Sequence, residues 1–142
     1  METNDYLDIN GVVEIWVKND MILKNSANIQ LEPDSKLTIY LSGELDGMEG
    51  TGFNNGGEPS QLSIIGLSDN PITINNNGTF CGTIYAPHAD VLMHNDTEVY
   101  GSIIANNYTQ DNDAIFTYDA KLRTVSIEDQ YARFVPIHWR EL

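Results

Sequence analysis

Val13-Glu14-Ile15-Trp16-Val17, Leu37-Thr38-Ile39-Tyr40-Leu41, Leu62-Ser63-Ile64-Ile65-Gly66, Gly82-Thr83-Ile84-Tyr85-Ala86 and Gly101-Ser102-Ile103-Ile104-Ala105 are five versions of one short apolar run. Their central isoleucines stand at positions 15, 39, 64, 84 and 103, so successive runs are 24, 25, 20 and 19 residues apart. A repeat of that length is one coil of a β-solenoid, in which each coil buries the apolar edge of its neighbour. The runs are too short for helices. They are rich in Val, Ile, Thr and Tyr and bounded by Gly, Asn, Asp and Pro, which is the composition of strands and turns.

Two further elements accompany most runs. A second strand follows a turn, as in Met21-Ile22-Leu23, Ile72-Thr73-Ile74 and Val91-Leu92-Met93. A third follows an asparagine. Asn25-Ser26-Ala27-Asn28-Ile29, Asn76-Asn77-Gly78-Thr79-Phe80, Asn95-Asp96-Thr97-Glu98-Val99 and Asn112-Asp113-Ala114-Ile115-Phe116 share one pattern. It reads Asn, a turn residue, a small residue, any residue, then an apolar one. Asn and Gly accept the left-handed backbone of sharp bends, and Asn stacked on Asn in successive coils can form amide ladders. Three strands per coil predict an all-β, single-domain parallel β-helix of about five or six coils.

Coils are expected over residues 1–118, interrupted by a long Gly-rich acidic surface loop at 42–60. The repeat fades beyond residue 118. Residues 119–142, with a further strand at 123–127 and the bulky Phe134 and Trp139, are expected to form a C-terminal cap that covers the last coil.

The chain has 142 residues, 21 acids against 7 Lys+Arg, and a net charge of −14. Such a surface repels phosphate backbones and anionic membranes, so nucleic acid and lipid headgroups are not expected partners. No basic-plus-apolar leader opens the chain and no run approaches 18 apolar residues, so membrane insertion by this chain is not expected. Cys81 is alone, which excludes an intramolecular disulfide and suits a structural thiol.

Catalysis on a β-helix requires clustered acids, or a calcium site with a basic residue. The candidates are Asp111 and Asp113, with Asp90 and Asp96 about one coil earlier and Lys121 and Arg123 as bases. Stacked acids would make an acidic strip, but a solvated turn is the simpler reading. His88, His94 and His138 have no metal-ligand spacing, and no calcium-binding repeat occurs, although the acidic stretch 44–58 leaves adventitious calcium open. No catalytic residue, metal ligand or cofactor is assigned, and binding residues are left open. Tyr100, Tyr108 and Tyr118 are candidates for stacking on sugars, with packing as the alternative. An ice-binding role would need a regular threonine ladder, and none is evident.

Several stretches together resemble a known family. They are Leu37-Thr38-Ile39-Tyr40, Asn54-Asn55-Gly56-Gly57-Glu58-Pro59-Ser60-Gln61-Leu62-Ser63-Ile64, Gly82-Thr83-Ile84-Tyr85-Ala86-Pro87-His88-Ala89-Asp90, Val99-Tyr100-Gly101-Ser102-Ile103-Ile104-Ala105 and His138-Trp139-Arg140-Glu141. Over roughly residues 9–142 they look like the β-helical C-terminal domain of bacterial PilX-type pilus-assembly proteins. His88 stands where that pattern has Asn, and most of its Ser-Gly-Asn triplets are replaced by other turn formers. The family's pilin-like N-terminal segment is missing from this sequence.

The resemblance implies a right-handed helix and a cell-surface or extracellular, pilus-associated location. It also implies partners among pilus or surface proteins or surface glycans, and no catalytic residues. The expected function is a non-catalytic structural or adhesive domain, more readily a monomer than a polymer. The alternatives are a carbohydrate-binding or polysaccharide-cleaving β-helix and a self-polymerising scaffold in the manner of bactofilins.

Overall fold

The computed structural model describes residues 1–124. Twelve strands follow one another: β1 (Tyr6–Ile9), β2 (Val12–Val17), β3 (Met21–Leu23), β4 (Asn28–Leu31), β5 (Lys36–Leu41), β6 (Leu45–Gly47), β7 (Gly52–Phe53), β8 (Leu62–Gly66), β9 (Ile72–Ile74), β10 (Thr79–Met93), β11 (Glu98–Gln110) and β12 (Ile115–Tyr118). Every pairing between them is parallel. The chain is a parallel β-solenoid of about five turns, with no α-helix among the described residues. Nor is any described helix long and apolar enough to cross a membrane.

Three walls run along the solenoid. Wall A stacks β1, β4, β7 and the first residues of β10 and β11, and ends on β12. Wall B stacks β2, β5, β8 and the middles of β10 and β11. Wall C stacks β3, β6, β9 and the ends of β10 and β11. The five isoleucines of the sequence repeat form one column in wall B, with Ile15 opposite Ile39, Ile39 opposite Ile64, Ile64 opposite Ile84 and Ile84 opposite Ile103. Ile39, Ile64 and Ile84 are fully buried. Ile29, Phe53, Phe80 and Val99 meet them from wall A, and Leu23, Leu45, Ile72, Ile74, Val91 and Met93 from wall C.

The corner from wall C to wall A always has four residues: 2–5, 24–27, 48–51, 75–78, 94–97 and 111–114. Its third residue is left-handed every time, at Asn4, Ser26, Gly50, Asn77, Asp96 and Asp113, with φ between 57° and 68°. From the second corner on, its fourth residue is small and buried: Ala27, Thr51, Gly78, Thr97 and Ala114. At Gly78 a Cβ would sit 2.5 Å from Ile74 Cγ2 and 3.0 Å from the Asn75 carbonyl oxygen. In the last two corners Asn95 and Asn112 are left-handed as well, as in a type I′ turn. The amide ladder expected from the sequence is present. Asn95 Nδ2 donates to Asn76 Oδ1, and Asn112 Nδ2 donates to Asn95 Oδ1 over 2.7 Å.

The other corners vary. From A to B the chain uses residues 10–11, then 32–35, then 54–61 with a short 3₁₀ turn at Pro59–Gln61; in β10 and β11 a single glycine suffices. There Gly101 lies directly over Gly82 with φ +148°, and a Cβ on Gly101 would sit 1.8 Å from the Gly82 carbonyl oxygen. This shortening is why the isoleucine spacing falls from 25 to 20 residues.

The segment 42–60 differs from the loop expected of it. Residues 45–47 and 52–53 are β6 and β7, and Leu45, Thr51 and Phe53 are fully buried. Glu49-Gly50-Thr51-Gly52-Phe53 is the corner motif with Glu in place of Asn. Only the excursion at 54–61 remains, tied down where the buried Asn54 donates Nδ2 to the carbonyls of Glu58 and Cys81. The expected cap falls outside the described residues from 125 onward, as do most of the strand at 123–127 and the residues Phe134, His138 and Trp139.

The left-handed corner predicts a specific ranking at Asn77. Glycine at this position should leave the urea midpoint almost unchanged. Valine should cost about 1–2 kcal/mol, since a β-branched side chain resists positive φ. Equal stability of the two variants would show that the corner does not hold its left-handed residue.

Candidate functional site

Side chains alternate across a strand, so the residues on either side of each wall B isoleucine point outward. Parallel pairing without a register shift lines them up in two columns. The residue before each isoleucine gives Glu14, Thr38, Ser63, Thr83 and Ser102. The residue after it gives Trp16, Tyr40, Ile65, Tyr85 and Ile104. A hydroxyl column therefore lies beside a column of large aromatic and aliphatic groups. At the usual strand spacing of about 4.8 Å, each column runs roughly 19 Å along the solenoid.

The large column is anchored at one end by Trp16 and Tyr40, whose rings stack with centroids 4.2 Å apart and planes within 17°. Such a pair is worth about 0.5–1.5 kcal/mol beyond the area it buries. Trp16 is nevertheless 65% exposed, and Tyr85 and Ile104 are 51% and 55% exposed. In the hydroxyl column, Thr83 Oγ1 donates to the Leu62 carbonyl over 3.4 Å. Among the described residues, the hydroxyls of Thr38, Ser63 and Ser102 have no protein partner.

Charge on this wall is sparse and balanced. Glu14 and Lys36 are the only charged residues in its five strand segments. The remaining described acids occupy the corners and the other two walls. The two charges on wall B are of opposite sign, whereas the strand segments of wall A carry Asp8 and Glu98 and those of wall C carry Asp46.

The acids singled out in the sequence do not converge. Asp96 and Asp113 are stacked at the C-to-A corner, each as its left-handed residue. Asp111 is engaged by His94, whose Nδ1 lies 2.8 Å from Asp111 Oδ1. Asp90 sits at the B-to-C corner, where Asn107 and Asn106 donate to its Oδ1 over 2.8 and 3.0 Å and hold its carboxyl below the ordinary range. His88 is exposed at that same corner. Lys121 Nζ lies 3.7 Å from Glu58 Oε2, in a surface ion pair. Among the described residues, no three His, Cys, Asp or Glu side chains are placed to share a metal ion.

The three tyrosines have different fates. Tyr100 points outward from wall A and lines a shallow groove of about 360 Å³ with Gly57, Cys81, Glu98, Ile115 and Thr117. Tyr108 occupies an inward column opposite Val91, tilts against Phe116 at 5.9 Å and donates its hydroxyl to Gln110. Its partial burial pushes its phenol up. Tyr118 lies opposite Gly101 in wall A and is half-exposed. Tyr108 is therefore a packing residue, because the outermost described coil of wall C needs a side chain to cover Val91.

Cys81 is buried, and its thiol donates to the Gly57 carbonyl over 3.1 Å. Burial, reinforced by Glu58 and Asp119, pushes the thiol up to about 11. This is a structural thiol that clamps the 54–61 corner.

The spacing of the five isoleucines does not by itself show wall B. The signal lay in their immediate neighbours. Threonine itself forms no ladder in this wall, since Thr38 and Thr83 alternate with Ser63 and Ser102 in one aligned column.

Fold and face define a class: a parallel β-solenoid with aligned hydroxyl and large apolar columns on one wall. More particularly, the chain belongs to the family described as a domain of unknown function, DUF7305, whose model matches residues 3–125. The matched region contains every coil described above. No curated protein and no solved structure matches the chain.

The thiol gives a direct pH test. In the folded protein the neutral thiol is favoured, so the stability it contributes is complete below the unfolded value near 9 and lost as pH rises toward about 11. At pH 8, iodoacetamide should alkylate Cys81 about 100-fold more slowly in the native protein than in the urea-unfolded chain. Equal rates would refute the clamp.

Proposed function

We propose that this chain is a non-catalytic structural or adhesive domain of a bacterial surface protein, associated with a pilus. The observation that carries this reading is wall B, where aromatic and hydroxyl columns stand in register over five coils and the two charges are of opposite sign. A wall of this kind suits contact with a partner, as exposed aromatic surface commonly does. The distribution of acids supports a non-catalytic role, since Asp111 is paired to His94 and Asp90 is at a different corner. Resemblance to the β-helical domains of PilX-type pilus-assembly proteins supports the location.

Cells making the full-length gene product, sheared and fractionated, test the reading with an antibody to this domain. The expected result is enrichment with the sheared filaments. Recovery only from the cytosol would overturn the display role.

A second reading, end-to-end assembly in the manner of bactofilins, is favoured by one observation. Strand β2 has no partner on its outer side among the described residues, and its Val13, Ile15 and Val17 are only half-buried. Sedimentation velocity separates the two. The display domain should remain one species across a hundredfold range of concentration, whereas a scaffold should form open-ended oligomers.

A further inference from the structure

We infer that wall B is a binding face for an extended neutral polysaccharide, held along the solenoid axis on the Trp16–Ile104 column and hydrogen-bonded by the Thr38–Ser102 column. This deepens the adhesive reading and rests on it for access to the ligand. Three observations converge.

The first is charge. Only Glu14 and Lys36, of opposite sign, lie in the five strand segments, in a chain of net charge −14. An acidic polysaccharide would be repelled by the surrounding corners, and a cationic one would be drawn to those corners rather than to this wall. A neutral chain is indifferent to the acidic corners, and on this wall the two charges, Glu14 and Lys36, are of opposite sign.

The second is chemistry. A pyranose ring has an apolar C–H face and a rim of hydroxyls. The exposed apolar surfaces of Trp16, Tyr85 and Ile104 match the first. The hydroxyls of Thr38, Ser63 and Ser102, without protein partners among the described residues, match the second as both donors and acceptors.

The third is repetition. The two columns stay aligned over five coils without a register shift in this wall. A polymer of identical sugars can therefore meet the same pair of columns at each step. A globular partner has no need of such regularity.

The test uses the purified chain with microcrystalline cellulose, chitin and mannan as neutral probes and alginate as the acidic control. At least one neutral glycan should retain the protein and alginate should not, and retention should be unchanged between low and high salt, as expected of an uncharged ligand. Trp16→Ala and Tyr85→Ala should each weaken binding about tenfold, and the Ser63→Ala, Ser102→Ala double variant about threefold. Asp113→Asn, at the acidic corner, should leave binding unchanged. Circular dichroism melts on each variant distinguish loss of the face from loss of the fold. Tyr85→Phe, which keeps the ring, should restore most of the binding lost in Tyr85→Ala.

Retention of no neutral glycan overturns the inference, as does retention insensitive to all wall B variants. So does concentration-dependent dimerisation abolished by Trp16→Ala, which would make the wall an interface between copies. These results are independent of where the cell places the protein, so failure here leaves the display reading to its own fractionation test.

Discussion

The regularity of this molecule depends on a left-handed residue at the same corner of every described coil. The turn from wall C to wall A has the same four residues' length in every coil, and its third residue always has positive φ. A left-handed conformation costs most L-residues about 1–2 kcal/mol, and Asn, Asp and Gly bear it best. Five of the six positions hold one of those three; Ser26 is the exception. Because this corner does not change, each coil returns to wall A in register with the last, and the apolar columns of all three walls align. The Asn76–Asn95–Asn112 ladder then bonds successive corners edge to edge.

The same corner accounts for the distribution of charge. Asp and Asn are the residues that tolerate its backbone, so acids accumulate there and in the neighbouring turns. Wall B has the opposite requirement. Its strands are the longest of each coil, and their alternation places β-branched and aromatic residues on both sides. A chain of net charge −14 thus carries few charges on its walls, and on wall B the two are of opposite sign.

The coils were legible because isoleucine recurs at the centre of five runs and because the Asn-led corner repeats four times. The structure places all five isoleucines in one column. The coil at 42–60 was obscured by composition. Glycine and glutamate at Glu49, Gly50 and Gly52 read as a solvated loop, yet Gly50 supplies the required positive φ and Phe53 fills the core. Wall B was hidden for another reason. Whether Thr38, Ser63, Thr83 and Ser102 form a column depends on inter-strand register, which spacing alone fixes only when every corner has one length. Here the A-to-B corners range from one glycine to eight residues. Tyr108 shows a limit of composition as well, since inward and outward tyrosines read alike until the strand's phase is known.

That unequal corner also sorts the molecule into a permissive end and an intolerant end. At 54–61 the chain leaves the coil and returns with Asn54 and Cys81 pinning its base, so a longer excursion would lengthen only the tip. Between Gly82 and Gly101 two backbones touch with no space for even a methyl group. A peptide tag or epitope grafted beside Gly56 would therefore be carried as cargo on an intact scaffold, whereas the same graft at Gly101 would separate the fourth coil from the fifth.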